Sequence, residues 1–129
     1  MQNRRMRFVL EFHGSELRDV MADGSSVRLR FAAAAVRNEA GERGWLSTVQ
    51  VDLQDATLRG DTAYAFGKIT DGRLRQDGRD IARVGIPGTL NGELELSLRL
   101  ANGTQVVARG RTLEASVGAD ARFSPDLSC

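Results

Sequence analysis

His13 is the only histidine of the chain, and Ser15 and Asp19 follow it closely. A serine, a histidine and an aspartate support nucleophilic acyl transfer when geometry lines them up, because the imidazole takes the hydroxyl proton and the carboxylate orients the imidazole. Strand geometry at these spacings does not bring the three side chains together, and no glycine-serine-glycine elbow presents the hydroxyl. His13 therefore reads as a strand-end or turn residue, and no catalytic residue is assigned. Aspartates are frequent at Asp52, Asp55, Asp61, Asp71, Asp77 and Asp80. A calcium loop needs ligands at alternating positions with a glutamate downstream, and Asp71 to Asp80 offers no such series. These residues read as turn formers. Gly85-Ile86-Pro87-Gly88 and Gly14-Ser15 lack the lysine and helix start of a phosphate loop. The only cysteine, Cys129, excludes an intrachain disulfide and a four-cysteine metal site. No metal, nucleotide or other cofactor is expected.

The residues with binding chemistry are arginines spaced two apart: Arg5 with Arg7, Arg28 with Arg30, and Arg73 with Arg75. On a strand each pair projects from one face. If neighbouring strands brought the pairs together, they would form a cationic patch for an acidic protein surface or a phosphate. The plainer alternative is a solvated face balanced by Glu11, Glu16 and Asp19, where single ion pairs contribute little. Eighteen basic residues against seventeen acidic ones leave a net charge of +1. That balance argues against a non-specific nucleic-acid binder. Stacking aromatics are also scarce, and Trp45 and Tyr64 are assigned to the core or to an interface. Lys68 is the only lysine, a bias that a GC-rich genome explains.

The elements that must position these residues are strands. Met6, Phe8, Leu10 and Phe12 alternate with Arg5, Arg7, Glu11 and His13, the period of a half-buried strand. Asp23-Gly24-Ser25 turns the chain into Val27, Leu29 and Phe31. The alanines at 32–35 fit a helical face as well as a strand, and a strand passing into a short turn is preferred. After a loop at 38–44, Trp45 opens a strand through Ser47, Val49, Val51 and Leu53. Tyr64 and Phe66 lead into Ile69.

Two-residue Asp-Gly and Asn-Gly loops supply the positive φ that matches strand twist. Hairpins are accordingly expected at Asp71-Gly72 and Asn102-Gly103, with a third tight turn at Asp77-Gly78. The first opposes Ile69 to Leu74, and the third opposes Leu74 to Ile81. At Asn102-Gly103 a three-residue loop with a left-handed Gly103 opposes Leu98 to Val106 and Leu96 to Ala108. Beyond Gly110 the apolar phase slips, which a bulge there would explain. The same slip separates Phe12 from Leu17 and Leu53 from Leu58. Each such pair can enter one core only through an extra residue or a bend.

Phe12-His13-Gly14-Ser15-Glu16-Leu17, with Asp23-Gly24 and Val27-Arg28-Leu29-Arg30-Phe31, resembles the opening of small bacterial β-rich immunity proteins, which neutralise toxins of rival cells. The resemblance covers about a quarter of the chain. It departs at Gly14, where those openings usually carry aspartate. It implies stoichiometric binding by a sheet surface, without catalysis.

Residues 1–129 are thus expected to form a single all-β domain, an antiparallel sandwich or partly closed barrel of about nine to eleven short strands. Helix is minor and confined to 32–40 or 118–121. The expected function is non-enzymatic binding of another protein with an acidic surface, through Arg28, Arg30, Arg73 and Arg75. No nucleic-acid or membrane partner is expected, and a cytoplasmic location is the default because neither a signal peptide nor an apolar span is legible. The main alternative is a β-barrel holding a small apolar ligand, with an enzyme third. A large enclosed cavity lined by Phe8, Phe12, Phe31 and the leucines would favour the ligand barrel. A filled core with a charged outer face would favour the interaction protein.

Overall fold

The computed structural model describes residues 7–126; Arg5, Met6 and Cys129 lie outside them. Eleven strands run in chain order among the described residues: β1 (Phe8–Asp23), β2 (Ser26–Arg37), β3 (Arg43–Leu46), β4 (Val49–Gln54), β5 (Thr57–Gly60), β6 (Gly67–Gln76), β7 (Arg79–Ile81), β8 (Val84–Ile86), β9 (Gly88–Leu100), β10 (Gln105–Val117) and β11 (Phe123–Pro125). The one helical element among the described residues is a 3-10 turn at Thr62–Tyr64, away from both positions expected to hold helix. The alanines at 32–35 belong to β2.

All pairings are antiparallel, and six strands close a ring in the order β1-β2-β4-β10-β9-β6. Closure is made by Leu17 opposite Gly67 and Glu16 opposite Lys68. A closed barrel removes the free edges of its sheet. β3 and β11 extend the sheet beyond β2, β8 pairs with the start of β1, and β5 and β7 flank β10 and β6. Period-two alternation points Leu94, Leu96, Leu98 and Leu100 of β9 inward, together with Ile69, Leu74, Val106, Ala108 and Leu113. Phe12 and Phe31 meet ring to ring at 6.4 Å within the same continuous cluster.

The register of the β9–β10 hairpin agrees with the bulged loop: Leu98 faces Val106, Leu96 faces Ala108, and Gly103 has φ +89°. The expected slip follows, between Gly110 and Thr112. Gly24 turns β1 into β2, and Asp77-Gly78 turns β6 into β7 with Leu74 opposite Ile81.

Asp71-Gly72 is not a turn. β6 runs straight through it, with Ile69 opposite Leu100 rather than Leu74 and a bulge between Ile69 and Asp71. Pairing β6 from Ile69 to Gln76 with β9 buries Ile69 and Leu74 against the leucines of β9, more apolar contact than two three-residue strands would make. Gly72 is glycine for another reason. A Cβ at this position would lie 2.5 Å from Phe12 Cβ, so the absence of a side chain lets β6 pass close to β1.

The strand expected from Trp45 to Leu53 is likewise two strands. It breaks at Ser47-Thr48, where Thr48 has φ +58°. The break reverses the phase, so Leu46 is buried and Trp45 is 38% exposed. Tyr64 and Phe66, at 58% and 50%, also lie outside the core, and Ala65 between them is the residue that turns in.

Candidate functional site

Of the three slips of apolar phase, those at Gly14 and Gly110 are register shifts in strands of the barrel wall, whereas the one between Leu53 and Leu58 is the break between β4 and β5, where Asp55 has φ +52°. In β1, Gly14 has φ +88° and the register with β2 shifts repeatedly between Glu11 and Asp19. Both Phe12 and Leu17 are buried as a result. The Ser15 hydroxyl, fully buried, donates to the Glu11 carbonyl at 2.6 Å and accepts the Ala35 N–H at 2.8 Å. It satisfies backbone groups that the bulge removes from the ladder. Its hydroxyl is thereby engaged, Asp19 is held by Arg30, and His13 projects outward, so no Ser15-His13-Asp19 triad is assembled.

The expected arginine pairs occupy different sectors. Arg28 and Arg30 on β2 sit at the level of Asp19 to Met21 of β1, whereas Gly72 of β6 lies against Phe12, which places Arg73 and Arg75 toward the opposite end. β1 stands between β2 and β6 in the ring. The β2 arginines are matched by carboxylates. Arg28 Nε meets Asp52 Oδ1 at 2.8 Å, Arg30 binds the Asp19 carboxylate with two N–H groups, and Arg37 Nε meets Glu11 Oε1 at 3.2 Å. Hydrogen bonding from Arg30 holds the Asp19 carboxyl below the usual carboxylate range.

The outer face of β6, β9 and β10 is different. Cross-strand register lays its side chains in rows. One row runs Arg75, Glu95, Arg109, Thr57; the next Arg73, Ser97, Val107, Arg59; the third Asp71, Arg99, Gln105. Arg109 Nε donates to Glu95 at 2.8 Å, and Arg75 Nε lies 3.3 Å from Asp80. The Gln105 side-chain oxygen, in the amide orientation that satisfies both groups, accepts from Arg99 Nη2 at 2.8 Å. Among the described residues, Arg59, Arg73, Arg99 and Arg111 have no ion-pair partner within 4.0 Å. Sequence reasoning singled out Arg73 and Arg75 and missed Arg59, Arg99, Arg109 and Arg111. Alternation on β9 and β10 marks Arg99 and Arg109 as outward-facing, but their proximity to β6 follows only from the strand order.

Three clefts open on this face. One of about 440 Å³ is lined by Arg75, Glu95, Arg109 and Arg111; one of about 220 Å³ by Asp71, Arg73, Arg75 and Arg99; and one of about 340 Å³ by His13, Asp71, Arg73 and Asp80. The first two share Arg75 and Glu95, and the last two share Asp71 and Arg73. The exposed His13 thus stands at one end of this polar surface. No group of three or more metal-ligating side chains gathers there or elsewhere among the described residues.

A fourth cleft, of about 570 Å³, is apolar. It lies at the end of the barrel between Phe8, Leu46, Pro87, Val117 and Phe123, with the rings of Phe8 and Phe123 5.6 Å apart. Inside the barrel the buried apolar side chains form one continuous cluster. No helix among the described residues is long and apolar enough to cross a membrane. Compared with protein-family models, with curated proteins and with solved structures, the chain matches none.

Proposed function

We propose that the protein is a non-enzymatic binding protein that engages an acidic surface of another protein through the outer face of β6, β9 and β10. Inhibition of that partner, in the manner of a bacterial immunity protein, is the sharpest form of this reading. The observation that carries it is the unequal pairing of arginines around the barrel: those of β2 face carboxylates at hydrogen-bonding distance, while Arg59, Arg73, Arg99 and Arg111 stand without one on a single face. A guanidinium with open donors recognises carboxylates in a planar, two-pronged geometry.

The test is capture of the partner from the native cell, followed by binding measurements on two double variants. Arg73→Glu with Arg75→Glu is expected to slow association and weaken binding, more at low salt than at moderate salt, because reversal replaces attraction with repulsion. Arg28→Glu with Arg30→Glu is expected to have the smaller effect. Equal binding by wild type and the β6 variant would remove the reading.

The apolar cleft favours a second reading, a site for a small uncharged ligand. Its volume lies within the range of small-molecule sites, and its principal walls are phenylalanine, leucine, proline and valine. A neutral, environment-sensitive dye is expected to brighten on binding and to be displaced from the Val117→Trp variant, whose indole would occupy the space. Equal dye binding by that variant would exclude the cleft.

A further inference from the structure

The barrel carries exposed aromatic side chains at one end and its apolar cleft at the other. β1 and β9 both start at the cleft, which Phe8 and Pro87 line, and run to the far end, where Leu17 pairs with Gly67 and Leu100 leads into the hairpin loop. Four large hydrophobic side chains are exposed among the described residues, and three of them, Met21, Tyr64 and Phe66, belong to that far end. The segment 61–66 carries the chain from β5, beside β10, past the tip of the β9–β10 hairpin to β6, beside β9. It buries Ala65 and leaves Tyr64 and Phe66 outside. The Tyr64 carbonyl accepts from Asn102 Nδ2 and from the Phe66 N–H, each at 2.9 Å, and the Ala65 N–H donates to the Thr62 carbonyl at 3.3 Å. Both rings therefore stand on a fixed loop, which loses little freedom on binding. Neither ring lines any of the four clefts. They project from the surface and suit insertion into a site elsewhere. At the opposite end, the cleft of about 570 Å³ has no titratable side chain on its walls. Phenylalanine suits such walls, and the Ser116 hydroxyl at the same cleft offers the Tyr64 hydroxyl a partner.

We infer that a second copy of this chain occupies the cleft: Tyr64 and Phe66 of one copy seat in the apolar cleft of the next, head to tail. The inference rests on the second reading above, that the cleft accepts an uncharged group, and it names that group. One contact then covers both the exposed rings and the open apolar walls, two features that are each costly in water. Because loop and cleft lie at opposite ends, the contact is heterologous, and copies add to one another in a line. An aromatic side chain buries about 150–250 Å². Two of them, with the walls they cover, fall short of the roughly 1,200 Å² of a stable interface. The association is therefore reversible and grows with protein concentration.

The test is sedimentation velocity of the full chain from micromolar to millimolar concentration. Wild type is expected to be monomeric at the low end and to pass beyond the dimer at the high end. Tyr64→Ser with Phe66→Ser removes the loop side chains, whereas Val117→Trp, or Ala119→Glu at an exposed position of the wall, obstructs the cleft. Each variant alone is expected to stay monomeric throughout. An equimolar mixture of the loop variant and a cleft variant is expected to form dimers and nothing larger, because it retains a single intact loop and cleft per pair. Circular dichroism of each variant verifies that the fold persists. A wild type that stays monomeric at millimolar concentration or stops at a dimer, self-association by the loop variant, or a mixture that remains monomeric would each overturn the inference. If wild type stays monomeric while the neutral dye still brightens and is lost from Val117→Trp, the inference falls and the cleft reading stands. If neither dye nor second copy binds, both fall.

Discussion

Ser15 illustrates how one side chain supports a bend that the backbone alone would leave unsatisfied. Its buried hydroxyl joins the Glu11 carbonyl to the Ala35 N–H across the β1–β2 bulge. Ser15→Ala leaves both groups without a partner, and a fall in stability of about 1–3 kcal/mol is expected by denaturant titration. Asp19 is a second residue with a measurable signature. Its folded-state pKa is depressed by the Arg30 hydrogen bond, so its contribution is present above the unfolded carboxylate value of about 3.9 and is lost as pH falls through the lower folded value. The melting temperature of Asp19→Asn is therefore expected to lie slightly below wild type at neutral pH and to converge with it in strong acid. An unchanged difference across that range would show that the ion pair is irrelevant to stability. The contribution is small, because the pair is partly open to solvent. Neither role was legible in the sequence. A serine near a histidine looks the same whether its hydroxyl meets a substrate or a bulged backbone, and the long-range partners Ala35 and Arg30 decide the matter.

At the scale of elements, two glycines in similar dipeptides serve opposite purposes. Gly103 follows Asn102 in a hairpin loop with φ +89° and open space around a would-be Cβ. Gly103→Val is expected to cost about 1–2 kcal/mol, from backbone conformation alone. Gly72 follows Asp71 within a strand, and its missing side chain makes room for Phe12. Gly72→Ala is expected to cost about 1–3 kcal/mol by overpacking, with β1 and β6 forced apart. A turn glycine would accept alanine more readily only if its φ were negative, so amide exchange in the two variants separates the causes. Protection loss at the Leu17–Gly67 closure belongs to Gly72→Ala, and loss near Leu100 belongs to Gly103→Val. Leu98→Ala, which empties a buried position between β6 and β10, is expected to cost about 2–5 kcal/mol. The β9–β10 hairpin was legible to the residue because the leucine alternation on one arm and Val106 and Ala108 on the other admit one register that buries both. The Asp71-Gly72 hairpin was misread because local turn propensity was outweighed by the longer apolar pairing of β6 with β9.

For the molecule as a whole, the buried apolar residues form one continuous cluster that reaches from the closed ring into β3 and β8. Unfolding is therefore expected to be a single cooperative step, with the fluorescence of the half-exposed Trp45 on β3 and the far-ultraviolet sheet signal changing at the same denaturant concentration. Separate midpoints would show that β3 and β11 melt independently of the barrel. By itself the sequence determined that this chain makes antiparallel strands, that it turns at Gly24, Asp77-Gly78 and Asn102-Gly103, and which faces of β9 and β10 turn inward, because these properties follow from period-two alternation and from glycine and asparagine conformations over a few neighbouring residues. It also marked Arg73 and Arg75 as sharing one face of their strand. Only the tertiary structure decided that the sheet closes through Leu17 and Gly67, that Arg28 and Arg30 are matched by Asp52 and Asp19, and that Arg99, Arg109 and Arg111 join the β6 arginines on a common surface. The physical reason is that pairing between strands distant in the chain is set by burial summed over the whole core, and a charged side chain's partner is whatever that pairing places opposite it.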